Sequence, residues 1–157
     1  FDCESEASNM ALHGTKFRHR IYLMRHGEVS YFDAAGAARN PAMVSLTEKG
    51  QDQARAAGAA LKDVPIDRVV CSGLPRTQQT AALATEGRDL ILTDEPGLKE
   101  LRGGRFADIP RERIEAEIIY GFDTTDQPGA RFARGELIAD FERRVVDAFV
   151  GLLAEPD

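Results

Sequence analysis

Apolar positions fall into short runs and spaced stripes that alternate along the chain. Ile21-Tyr22-Leu23-Met24 is an apolar, β-favouring run bounded by charges and predicts a buried strand. Residues 33–45 are rich in Ala, carry Gly36, Asn40 and Pro41, and predict a loop. Leu46-Thr47-Glu48-Lys49-Gly50 opens a helix with Thr47 as its N-cap. Ala54, Ala57, Gly58 and Leu61 share one face of it and are small enough to let it lie close against a sheet. Pro65 ends that segment. Arg68–Ser72 predicts a second strand, Gly73 a turn, and Pro75 the first turn of a helix running to about Thr85. Leu90–Thr93 predicts a third strand. Pro110 opens a helix to Tyr120, with Gly121 as its stop. From Gly135 to Leu153, Ile138, Phe141, Val145, Phe149 and Leu152 line one face of a final amphipathic helix.

Strands alternating with helices predict an α/β fold, a three-layer α/β/α sandwich with a mostly parallel sheet. The 157 residues suit one domain. Residues 1–9 are polar and without periodicity, and the stretch from Met10 to Arg18 leads into the fold. Residues 1–18 are expected to be added residues ahead of a natural start at Met10, then a flexible arm, leaving 19–157 as the folded domain.

Composition narrows the function classes. With 43% hydrophobic and 29% charged residues, wholesale disorder is excluded. A net charge of -6 argues against a nucleic-acid partner, which a basic excess would serve, but leaves a local basic pocket open. No apolar stretch approaches the roughly 20 residues of a membrane span. Cys3 and Cys71 fit neither a disulfide framework nor a zinc site, and no signal peptide is evident. The expectation is a reduced, cytoplasmic, soluble protein with no membrane or nucleic-acid partner.

Two strand ends carry the candidate chemistry. Arg25-His26-Gly27-Glu28 follows the first strand, and Gly73-Leu74-Pro75-Arg76 follows the second. In open α/β sheets, ligands sit just beyond the carboxyl ends of strands. Two Arg forks converging there, beside the free N–H groups of a helix start, suit one phosphate.

Four ordered stretches resemble the histidine phosphatase superfamily, also called the phosphoglycerate mutase-like family. They are Leu23–Glu28, Leu46–Ala54, Ser72–Ala81 and Leu98-Lys99-Glu100. The resemblance implies that His26 is the nucleophile and becomes phosphorylated. It implies that Arg25 and Arg76 bind the phosphoryl group and that Glu100 is the general acid. It also implies phosphomonoester hydrolysis of the histidine acid phosphatase type, on a small-molecule ester, without metal or other cofactor. Physical chemistry agrees with each role. A neighbouring Arg favours the neutral imidazole that attack needs, and a covalent intermediate splits a hard displacement in two. Phosphoryl transfer mainly needs positioning and charge neutralisation.

The chain departs from the pattern in two places. Phe32 stands where the family often has Asn, so one phosphate contact is expected to be lost or supplied elsewhere. The family's second catalytic His, in a His-Gly context after the last helix and a further strand, has no counterpart, because the histidines are His13, His19 and His26. The domain is therefore expected to be C-terminally incomplete, lacking that strand. A chain truly ending at Asp157 is expected to bind phosphate but catalyse poorly.

Two alternatives follow: a cofactor-dependent phosphoglycerate mutase, and a non-catalytic phospholigand-binding module. The short interval between Glu100 and the final helix leaves little room for the mutases' cap insertions and favours a small phosphatase. Other residues have plainer readings. Glu95 competes with Glu100 as the acid. Arg102 and Arg105 either extend the anion pocket or are solvated. Cys71 suits a small buried position, Ser72 lacks a nucleophile-elbow pattern, and Leu101-Arg102-Gly103-Gly104 lacks the ending of a P-loop.

Overall fold

The computed structural model describes residues 20–37, 39–104 and 109–154. Residues 1–18, with Cys3 and His13, and also His19 and Arg105, lie outside them. The described chain is α/β. A parallel pair of strands, β1 (Val69–Cys71) and β2 (Leu92–Asp94), is aligned Val69 to Leu92 and Cys71 to Asp94. Four helices accompany it: α1 (Glu48–Ala60), α2 (Pro75–Ala84), α3 (Ile114–Asp123) and α4 (Ile138–Ala154). The crossover between the parallel strands is α2, as parallel pairing demands.

Local signals account for α1 and α2. The Thr47 hydroxyl accepts from the Gly50 N–H at 3.1 Å and caps α1. Pro75 begins α2, where its missing N–H costs no bond. The small face of α1 is its buried one, but it rests on α2 rather than on the sheet. A Cβ on Gly58 would sit 2.7 Å from the Ala84 carbonyl oxygen. Ala54, Ala81, Ala84, Val44 and Leu46 are all buried.

Other expectations need correction. Ile21–Met24 is not a strand and is not buried: it joins no ladder, and Leu23 is 82% exposed. An apolar run becomes a strand only when another backbone pairs with it, and no described segment does. The sheet among the described residues thus has two strands, not three. The strand expected at Leu90–Thr93 begins at Leu92, because Arg88 ties its turn to the Leu61 and Val64 carbonyls at 3.2 and 2.8 Å. Pro110 leads first into a 3-10 turn at Arg111–Arg113, and α3 follows. Gly121 is not a helix stop. It lies buried inside α3, where the Phe132 ring covers the place a side chain would fill. The loop at 33–45 contains a 3-10 turn, Pro41–Met43, capped by Asn40. Along α4 the predicted apolar stripe is the less exposed face, from buried Ile138 to half-buried Leu152.

Candidate active site

The end of β1 delivers the centre of the site. Cys71-Ser72-Gly73-Leu74 turns the chain into α2, and the Thr77 hydroxyl closes that helix start. It accepts from the Leu74 N–H at 3.1 Å and donates to the Leu74 carbonyl at 2.8 Å. Arg76 is thereby aimed inward and is only 3% exposed. Its guanidinium joins three separate segments. Nε donates to His26 Nε2 at 3.2 Å, Nη1 to the Pro41 carbonyl at 2.7 Å, and Nη2 to Glu100 Oε2 at 3.0 Å.

These bonds specify the state of His26. An Arg can only donate, so His26 Nε2 accepts and carries no proton. The ring proton then sits on Nδ1, which donates to the Gly27 carbonyl at 2.7 Å. The imidazole is neutral, and its Nε2 lone pair faces the guanidinium.

The His26 loop is held on both sides. The Gly27 N–H donates to the buried Thr80 hydroxyl at 3.0 Å, which donates in turn to the Arg76 carbonyl at 2.8 Å. The Glu28 N–H donates to Gln53 Oε1 at 2.8 Å, and the Glu28 carbonyl accepts from the Thr47 N–H at 2.9 Å. The contact with α1 is so close that a Cβ on Gly27 would strike the Gly50 carbonyl oxygen, and one on Gly50 the Glu28 carbonyl oxygen. The exposed Glu28 carboxylate pairs with Lys49 at 2.6 Å, and this bond, followed by that from Thr47, holds it below the usual carboxylate range.

The structure therefore brings His26, Arg76 and Glu100 together. Arg25 is exposed and forms no hydrogen bond or ion pair among the described residues. Glu95 is engaged elsewhere: its Oε1 accepts from the Gly97 N–H at 2.7 Å and caps the turn Pro96–Leu98. Arg102 pairs with Glu136 at 3.1 Å rather than with the His26 cluster. Phe32 is exposed. Cys71 is buried and donates to Asp94 Oδ1 at 3.1 Å. Burial, then the Asp94 bond, pushes its thiol up and disfavours the thiolate. Ser72 shares its hydroxyl with Thr77. Among the described residues no group of three or more His, Cys, Asp and Glu side chains could hold a metal ion.

Sequence reasoning missed the supports. Thr80 lies one turn beyond Arg76 on the same face of α2, a spacing that was readable. Gln53, and Gln79, which accepts from the Leu46 N–H at 2.8 Å, lie within the family-like stretches, where their residue type alone marks no role. Arg144 was legible as a charge within the apolar stripe of α4, next to Val145.

The chain is similar to several known proteins. An adenosylcobalamin/alpha-ribazole phosphatase of Salmonella typhimurium is 42% identical over 85 residues, covering 54% of this chain and 42% of that protein. A probable phosphoglycerate mutase of Erwinia tasmaniensis is 33% identical over 98 residues, covering 62% of this chain and 45% of that protein. The matches thus span less than half the length of these relatives. The crystal structure of the alpha-ribazole phosphatase from Shigella flexneri superposes with a TM-score of 0.63 at 30% identity, over 83% of this chain and 65% of that one. Residues 21–157 match the histidine phosphatase superfamily (branch 1), and the chain belongs to that family.

Proposed function

We propose that the protein hydrolyses phosphomonoesters through a phosphohistidine on His26, without a metal. The observation that carries this reading is the bonding of the imidazole: Nδ1 donates to the Gly27 carbonyl and Nε2 presents a lone pair toward Arg76. In the first step Nε2 forms a bond to phosphorus while the ester P–O bond breaks. The departing alcohol oxygen takes its proton from the Glu100 carboxyl. In the second step water attacks phosphorus, the N–P bond breaks, and the water's proton passes to the Glu100 carboxylate. Phosphate leaves with His26 and Glu100 in their starting states. Arg76, with Arg25 reaching in from its exposed position, neutralises the phosphoryl oxygens.

The Salmonella relative suggests phosphorylated alpha-ribazole as the first substrate to test, within a broader class of small phosphorylated metabolites. A cytoplasmic setting belongs to the same reading. The Erwinia relative supports a second reading, in which the phosphohistidine passes its group to an alcohol instead of water. Net phosphate release separates the two, because a mutase conserves the ester. His26→Ala tests both: it is expected to abolish turnover and the acid-labile phosphoenzyme seen after a short incubation with labelled substrate. Turnover retained in that variant would remove His26 as the nucleophile.

A further inference from the structure

Glu100 does not position itself. It follows the short turn Pro96–Leu98 in a segment with little secondary structure, and its side chain is 67% exposed. What holds that segment is Arg144, which reaches across from α4. Nε and Nη2 grip the two oxygens of Glu136 at 2.8 and 2.9 Å. Nη1 donates to the carbonyls of Gly97 and Lys99 at 2.8 and 2.7 Å, and Nη2 to the carbonyl of Glu100 itself at 3.2 Å. All five N–H donors of the guanidinium are used, three of them on the backbone that ends at Glu100.

Glu136 completes the clamp from the other side. It accepts from the backbone N–H of Arg102 at 3.1 Å, two residues past Glu100, and from the Arg102 guanidinium at 3.1 Å. Its own N–H donates to the Arg102 carbonyl at 2.9 Å. Gly97 seats the turn against α4, where a Cβ would come within 2.6 Å of that of Ala148. The segment from Gly97 to Arg102 is therefore registered by its carbonyls and an N–H on Arg144 of α4 and on Glu136 just ahead of that helix, while the Glu100 side chain is left to meet Arg76.

We propose that Arg144, braced by Glu136, is the positioning residue that aims the Glu100 carboxyl at Arg76 and at the leaving oxygen of the substrate. This rests on the reading of Glu100 as the proton donor. An Arg is needed because three carbonyls and a carboxylate must be met at once by a planar fork, which the single ammonium of Lys cannot do.

The test compares two phosphomonoesters on the full chain: 2,4-dinitrophenyl phosphate, whose leaving group needs no proton, and a simple alkyl phosphate, whose leaving group does. The readout is the ratio of kcat/KM for alkyl over aryl ester, which does not change when part of a sample is unfolded. Glu100→Gln is expected to lower that ratio about 100-fold. Arg144→Ala and the gentler Arg144→Lys are expected to lower it about tenfold in the same direction, and Glu100→Gln/Arg144→Ala no further than Glu100→Gln alone. If Glu100→Gln lowers the ratio and neither Arg144 variant does, Arg144 is only a structural residue and the proposal fails. If Glu100→Gln leaves the ratio unchanged, the assignment of Glu100 fails and takes the proposal with it; if the unsubstituted chain turns over neither ester, the proposed hydrolysis fails, and the proposal that rests on it fails too.

Discussion

Two inward-pointing arginines divide the work of this molecule. Arg76, the more buried, uses three N–H groups on protein acceptors and keeps two without an acceptor among the described residues. Arg144, its side chain 22% exposed, uses all five. The usual expectation is the reverse, since burial raises the cost of every unmet donor. An arginine with donors to spare where desolvation is greatest suits the anion-binding role proposed for Arg76. One that is saturated is built to hold the chain. The surroundings follow the same division. Arg76 touches one side chain from each of two other segments and a single carbonyl. Arg144 meets a carboxylate and a row of backbone carbonyls.

If that contrast is right, removing Arg76 strikes function hardest. Arg76→Ala is expected to lower kcat/KM by about 10^3, or about 4 kcal/mol of transition-state stabilisation, in a steady-state phosphate-release assay. Its loss of stability is expected to be the smaller effect. Equal losses in both would erase the distinction between the two arginines.

Stability should fall most at the other arginine. Arg144→Ala leaves Glu136, whose side chain is 5% exposed, without its main partner. Denaturant unfolding at neutral pH is expected to show a loss of about 3 kcal/mol.

The pH dependence sharpens the same point. The Arg144 bond, aided by the Arg102 bonds, lowers the Glu136 carboxyl to about 2 against burial, which raises it. A carboxyl held below its unfolded value stabilises the fold above the unfolded value of 4.5. That contribution, up to about 3 kcal/mol, drains away as pH falls from 4.5 toward 2. Unfolding free energies measured across that range should show the slope, and Glu136→Gln should flatten it. A slope that survives Glu136→Gln belongs to another carboxylate.

The smallest effects fall at the two residues that hold the His26 loop, Thr80 and Thr47. Thr80→Val removes the acceptor of the Gly27 N–H and the donor to the Arg76 carbonyl, and is expected to cost about 2 kcal/mol in thermal or chemical unfolding. Thr47→Ala, which uncaps α1, is expected to cost about 1 kcal/mol. A Thr80→Val protein with unchanged stability would show that the His26 loop does not depend on α2.

The supports of the two arginines were unequally visible in the sequence. For Arg76, the residues His26, Thr77, Thr80 and Glu100 lie within the four family-like stretches, and only the Pro41 carbonyl lies outside them. Those of Arg144 are mostly carbonyls, which every residue has and no motif marks. Between Glu95 and Glu100, the fold spends Glu95 on a cap and brings Glu100 to Arg76. Gly121 misled because the same residue type that ends helices also admits a close neighbour, here the ring of Phe132.

By itself the sequence determined the helices α1, α2 and α4, the turn that presents Arg76, and the family. These rest on bonds and periodicities that span a few residues. The tertiary structure decided that Ile21–Met24 stays unpaired among the described residues, that α1 lies on α2, that Gly121 is interior, and that Arg144 meets the carbonyls of Gly97, Lys99 and Glu100. Each of these depends on which distant backbone or side chain arrives, and strand pairing and carbonyl capture carry no mark in the residues that provide them.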